Sequence, residues 1–188
     1  MKHLKMKQLC CACDVGLCLT MDGQLLVWGK GDMFGFKGII FDSPIGIVQC
    51  GRVQQIAMNS RHALLLCSDG NVYSIGSNED GKLGLGHENE VTGFNKIDLF
   101  DSIDVIKVQT ALLGSAVLTK RGQVYIFGQW GEMKHSTPRL IEGLTDVVDI
   151  SMSSTHILAL TKENELCQVQ NQIINYSLNC LINHTIVE

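Results

Sequence analysis

The chain has 188 residues, 45% of them hydrophobic and 18% charged, and a formal net charge of −4. This balance supports a packed core rather than disorder, and the acidic sign argues against a nucleic-acid surface, which draws its affinity from basic contacts to phosphates. No apolar run reaches the ~20 residues that cross a bilayer, and no early stretch reads as a secretory signal, so the eight cysteines are expected to be reduced.

In chain order, the basic stretch Lys2, His3, Lys5, Lys7 reads as a solvated end. Cys10, Cys11, Cys13 and Cys18 then crowd one strand region. Cys10 and Cys13 have Cys-x-x-Cys spacing, but no second pair or histidine set completes a zinc site, so they read as small core residues. From Val15 an apolar strand runs to the turn Asp22-Gly23, and Leu25 to Trp28 follows, closed by Gly29. The same unit recurs three times. His62 to Cys67 meets Asp69-Gly70, then Val72 to Ile75, closed by Gly76. Gly114 to Thr119 meets Arg121-Gly122, then Val124 to Phe127, closed by Gly128. His156 to Thr161 meets Glu163-Asn164, then Leu166 to Val169. The turn residues stand about 40–50 residues apart, the sequence mark of a repeat architecture. Asparagine in the fourth turn keeps the tolerance of positive φ that glycine supplies elsewhere.

Ahead of three hairpins lies another short apolar segment: Val53 to Met58, Val105 to Val108 and Val147 to Met152. Polar links such as Phe41-Asp42-Ser43-Pro44 and His135-Ser136-Thr137-Pro138 separate the copies, and a further short strand, Arg139 to Glu142, follows the second link. Each unit therefore holds about four short strands and no convincing helix. Four-strand units of this length read as propeller blades rather than as a sandwich. The fold class is all-β, a partial β-propeller of four-stranded blades in an incomplete ring. One repeat domain covers residues 1–188, with copies at 6–50, 51–100 and 101–145, a partial copy at 146–170 and a divergent tail at 171–188.

The stretch His62 to Gly76, followed by the loop Ser77-Asn78-Glu79-Asp80-Gly81-Lys82-Leu83-Gly84-Leu85-Gly86, resembles the regulator of chromosome condensation repeat. Thr137 to Leu144, running into Val147 to Ile150, is similar to the link and first strand of the next such repeat. The resemblance covers roughly residues 6–168. It implies a β-propeller, usually of seven blades, of which this chain carries about three and a half. Gly23, Gly29, Gly70, Gly76, Gly81, Gly84, Gly86, Gly122 and Gly128 are the repeat's structural positions. In copy one the loop is degraded to Gly29 to Gly38, and in copy three it is cut to Gly128-Gln129-Trp130-Gly131-Glu132. The kelch and WD patterns fit less well, because no Gly-Gly pair ends a strand and no Gly-His…Trp-Asp register is present.

No catalytic constellation stands out. His62 and His156 share a repeat position and read as strand-start hydrogen-bonding residues. Ser115 and Ser151 lack a nucleophile-elbow context, and the Gly81 to Gly86 loop lacks the Gly-Lys-Ser/Thr end of a phosphate loop. Trp28 stands in the repeating strand column and reads as core. Trp130 in the shortened loop, with Asn78, Glu79 and Asp80, is a candidate partner contact. The expectation is a non-enzymatic interaction module or regulatory subunit, without cofactor or metal, that binds a protein partner, with cytoplasm or nucleus as its place. The resemblance adds two alternatives: an exchange factor or regulator of a small GTPase, and the regulatory part of a larger ubiquitin ligase or kinase. An open half-ring also exposes two blade faces, which a second copy of the chain would cover. The stretches where the copies differ, Lys30 to Gly38, Gly86 to Asn95 and Gln129 to Ser136, are where a functional signal should lie.

Overall fold

The computed structural model describes residues 4–34, 37–47, 51–170 and 173–175. Its strands form four four-stranded sheets, each an antiparallel meander in chain order. The first holds β1 (Met6–Ala12), β2 (Val15–Thr20), β3 (Leu25–Lys30) and β4 (Ile40–Ile47). The second holds β5 (Val53–Met58), β6 (His62–Cys67), β7 (Val72–Gly76) and β8 (Asn95–Lys96). The third holds β9 (Val105–Thr110), β10 (Gly114–Thr119), β11 (Val124–Trp130) and β12 (Met133–Leu140). The fourth holds β13 (Val147–Met152), β14 (Ile157–Thr161), β15 (Leu166–Gln170) and β16 (Ile173–Asn175). Helix among the described residues is confined to three single 3₁₀ turns. The fourth copy continues past residue 170, because β16 pairs with β15. No glycine closes β15, where Gln170 stands opposite the position of Gly76, so the sequence carries no marker for that last strand. The remainder of the 171–188 tail lies outside the described residues.

The central hairpin of each sheet is built the same way. Gly23, Gly70 and Gly122 hold φ of 85°, 87° and 77°, and Asn164 holds 60°. Thr20, Thr119 and Thr161 each accept, on the side-chain oxygen, the N–H of the residue four further on. Cys67 replaces that threonine in the second sheet. There the Asp69 carboxylate accepts from the Asn71 N–H at 3.1 Å and from its amide at 2.7 Å. A local polar side chain thus ties the turn in every copy.

Three apolar seams hold the sheets face to face. Leu17, Leu19, Leu25 and Val27 of the first sheet meet Ala63, Leu65, Cys67 and Ile75 of the second. Leu64, Leu66 and Val72 of the second meet Val108, Val117 and Phe127 of the third. Ala116, Leu118 and Val124 of the third meet Ile157, Ala159, Cys167 and Val169 of the fourth. Alternate residues of β6 therefore serve opposite seams, which is why the strand is buried from end to end and reads as a continuous apolar run. Each fully buried leucine contributes about 1.5–3 kcal/mol of burial.

The first strands β1, β5, β9 and β13 touch in succession and form the inner wall. A side chain at one register position links each to the next. Gln8 takes the Ile56 N–H on Oε1 (3.0 Å) and donates to the Ile56 carbonyl (2.6 Å). Gln55 does the same to Val108, at 3.0 and 3.2 Å. Lys107, third in the series, instead pairs with Asp149, fourth in the series. Inner-edge backbone groups that no strand satisfies are thereby bonded by side chains of the preceding sheet.

Candidate functional site

Two features depart from strict repetition: the long connection of the second sheet and the ends of the sheet stack. Residues 77–94 join β7 to β8; residues 79–86 lie against the third sheet, and Phe94 packs back on the first-to-second seam beside Phe34. Asn78 is fully buried and organises this connection. Its amide donates to the carbonyls of His87 (2.8 Å) and Asn89 (3.0 Å), and its carbonyl accepts the Leu83 N–H (3.3 Å). The Gly86 N–H donates to the Ser136 carbonyl at 2.8 Å, and a Cβ at Gly81 would stand 2.4 Å from the Ser136 Cα. Only a glycine admits that approach of two backbones.

Under this connection runs a buried polar chain between the second and third sheets. The Asn59 amide donates to the Ala111 carbonyl (2.6 Å) and to His62 Nδ1 (3.1 Å). The neutral imidazole then carries its proton on Nε2, which faces Ser115 Oγ at 2.7 Å. The Ser115 hydroxyl donates onward to the Lys82 carbonyl at 2.9 Å. Burial, with Lys82 nearby, pushes the His62 pKa down to about 3. His62 is thus an uncharged structural link, and His156 bonds Ser153 and Thr155 at the same repeat position. The Lys82 side chain is fully buried, and its Nζ has no hydrogen bond; the Glu79 carboxylate stands 3.8 Å away. Burial pulls the Lys82 pKa below its ordinary value.

Of the four candidate contacts, Glu79 and Asp80 lie on the connection and form ion pairs. Glu79 is exposed and pairs with Arg61 at 3.0 Å, and Asp80 pairs with Lys134. Asn78 and Trp130 are not presented to solvent. Trp130 is 4% exposed because the chain turns back at Gly131-Glu132 as a tight hairpin. That turn folds the indole over Gly114, whose Cβ would stand 3.0 Å from Nε1. The ring thus takes the place that the His62 imidazole holds one sheet earlier. Trp28 departs from its reading as core: it is half-exposed and covers Gly16 on the outer side of the first sheet. On the same side stand Met6 (47% exposed) and Leu9 (65%), whose equivalents Val53 and Ile56 are buried in a seam. The opposite end exposes Leu160, the equivalent of buried Leu66. The ring is open at both ends among the described residues. Cys11 and Cys13 are exposed and Cys10 half-buried. No group of three His, Cys, Asp or Glu among the described residues is placed to hold a metal ion. No helix among them is long and apolar enough to cross a membrane.

Comparison with known proteins bears on these features. Models of the Regulator of chromosome condensation (RCC1) repeat match residues 53–82 and 69–109. The chain carries regulator of chromosome condensation repeats. It is 33% identical over 175 residues to the E3 ubiquitin-protein ligase HERC2 of Mus musculus, covering 84% of this chain and 4% of that protein. It is 27% identical over 176 residues to the Regulator of chromosome condensation of Xenopus laevis, covering 82% of this chain and 41% of that one. The crystal structure of Prp20p from Saccharomyces cerevisiae superposes with a TM-score of 0.74 at 17% identity. That superposition covers 90% of this chain and 46% of Prp20p. The fold is that of a β-propeller, and the chain spans less than half the length of each of these proteins. The family matches fall on the second sheet and the start of the third, where the glycine loop and the His62 link are intact.

Proposed function

We propose that this chain is a non-enzymatic protein-interaction module or regulatory subunit: a rigid stack of repeat sheets that displays variable connections to a protein partner. The carrying observation is the division of labour along the chain. Repeated positions such as Gly76, His62 and Gln55 are spent on turns and seams, whereas residues 77–94 and the Gly131-Glu132 turn differ from copy to copy while the frame stays constant. Binding surfaces on repeat scaffolds are built in this manner. Its place is cytoplasm or nucleus.

A second reading is regulation of a small GTPase. It is favoured by the likeness to Prp20p, studied for its binding to Gsp1p and histones. The third, a regulatory part of a ubiquitin ligase, is favoured by the likeness to HERC2. A nucleotide-release assay over a panel of small GTPases separates the first two. The module reading predicts release at the intrinsic rate with measurable or no binding, and clear acceleration overturns it in favour of exchange. The exposed end faces, Met6 and Leu9 on one side and Leu160 on the other, also fit a second copy that covers them. Light scattering tests this, because a strict monomer at all concentrations refutes it.

A further inference from the structure

The seam between the third and fourth sheets contains a cleft at a place where, one seam earlier, a connection packs between the sheets. At the second-to-third seam, residues 81–86 of the connection fill the space between the sheets. Leu83 is fully buried there, and a Cβ at Gly84 would stand 2.9 Å from the Phe127 ring. At the third-to-fourth seam the corresponding connection is only the Gly131-Glu132 turn. Val169 occupies the register position of Phe127, but no loop among the described residues lies against it. What remains is a cleft of about 330 Å³ lined by Ile126, Trp130, His135, Arg139, Ile141 and Val169, with Leu140 and Glu142 at its edge. That volume is at the lower end of the ~300–1,000 Å³ range of ligand pockets.

Two lining residues also carry polar atoms without partners, the Trp130 nitrogen lying beneath the cleft surface against Gly114. Trp130 Nε1 and His135 Nε2 are buried and unbonded, an arrangement that costs free energy unless an acceptor is supplied. Arg139 is exposed and forms no ion pair among the described residues. Burial and the Arg139 charge hold the His135 pKa below its ordinary value, so the imidazole is neutral near pH 7. An apolar floor, an unbonded indole N–H and a guanidinium at the edge fit one class of ligand.

We infer that this cleft is a docking slot for a short, leucine-bearing acidic segment of a protein partner, inserted between the third and fourth sheets as residues 81–86 insert between the second and third. The leucine packs on Ile126, Ile141 and Val169, a main-chain carbonyl accepts from the Trp130 indole after a small side-chain adjustment, and the acidic side chain meets Arg139. The Leu83 segment of a second copy is not the source, because it is already fully buried in its own seam. The inference rests on the interaction-module reading and names one partner chemistry for it.

The probe is a synthetic peptide with the sequence of residues 77–87, which carries Glu79 and Asp80 ahead of Leu83 and Leu85. It is titrated into the ¹⁵N-labelled full chain while the two tryptophan indole signals are followed, with Trp28→Phe assigning them. The expected result is a saturable shift of the Trp130 signal at millimolar peptide, lost when both peptide leucines are replaced by serine. Arg139→Gln should weaken binding roughly two- to fivefold, the size of an exposed ion pair. An unmoved Trp130 signal, or a shift that survives the leucine-to-serine change, overturns the slot. Neither result touches the module reading, which the GTPase panel tests separately.

Discussion

Two glycines of one hairpin give a sharp test of how the frame is built. Gly70 sits at the β6–β7 turn with φ 87° and nothing within 4 Å of where its Cβ would be. Gly76 closes β7 with φ 113°, and its Cβ would stand 2.4 Å from the Arg61 carbonyl oxygen and 2.8 Å from the His62 Cα. Gly70→Ala therefore carries only the left-handed backbone cost of about 1–2 kcal/mol, offset by about 0.4–1 kcal/mol from the stiffer unfolded chain, a net loss near 1 kcal/mol. Gly76→Ala carries a backbone cost at least as large and must also push the start of β6 away. That motion breaks the Ser77 N–H to Arg61 carbonyl bond of 2.9 Å and disturbs the His62 link beside it. Each lost hydrogen bond costs about 1 kcal/mol and each stranded buried partner about 1–3 kcal/mol, so the total reaches about 3–4 kcal/mol. Urea unfolding followed by circular dichroism measures both variants on one scale. A Gly76→Ala loss within about 1 kcal/mol of the Gly70→Ala loss would refute the close-approach argument, since the two would then differ in backbone strain alone.

Other outcomes follow from the same geometry. His62 has a folded-state pKa of about 3 against an ordinary 6.5, so the unfolded chain binds the extra proton first. Stability should therefore fall as pH drops from about 6.5 toward 3, by about 1.4 kcal/mol per pH unit. Urea midpoints across that range check the slope, which His62→Gln should flatten. Gln55→Ala strands the Val108 N–H and carbonyl at the inner wall, and should cost about 2 kcal/mol in the same assay. Lys82→Met should leave stability unchanged or raise it by about 1 kcal/mol, because it removes a buried ammonium without a hydrogen bond. A loss above 1 kcal/mol would mean that the 3.8 Å Glu79 contact holds the connection in place.

The fold was legible because its markers are local. Asp-Gly turns and closing glycines follow from backbone sterics, and their recurrence carried the order of the four central hairpins; even Asn164, the odd member, sits at positive φ as its chemistry implies. The shared structural role of His62 and His156 was legible from their common repeat position. The seam contacts were harder to see. Gln8 and Gln55 look like polar interruptions of apolar strands, and their role appears only once the first strands are aligned with Lys107 and Asp149 in the same column. Trp130 reads as a surface contact in a shortened loop, but shortening is what turns it inward. With only two residues in the turn, the indole takes the space that a histidine and a long connection fill one sheet earlier. Trp28 errs the other way, because a core column is buried only where a neighbouring sheet stands against it. Asn78 reads as a loop contact because nothing local shows that a loop will be anchored from within.

The central claim is an open stack of sheets joined through side-chain links at the inner wall, and amide hydrogen exchange tests it most directly. Ile56 and Val108 hold one register position and give their N–H groups to Gln8 and Gln55. Leu9 holds that position in β1 with no preceding sheet among the described residues, and is 65% exposed. The account predicts slow exchange at Ile56 and Val108, at the rate of global opening, and fast exchange at Leu9. Equal protection of all three would contradict the open end, and fast exchange at Ile56 and Val108 would contradict the links themselves.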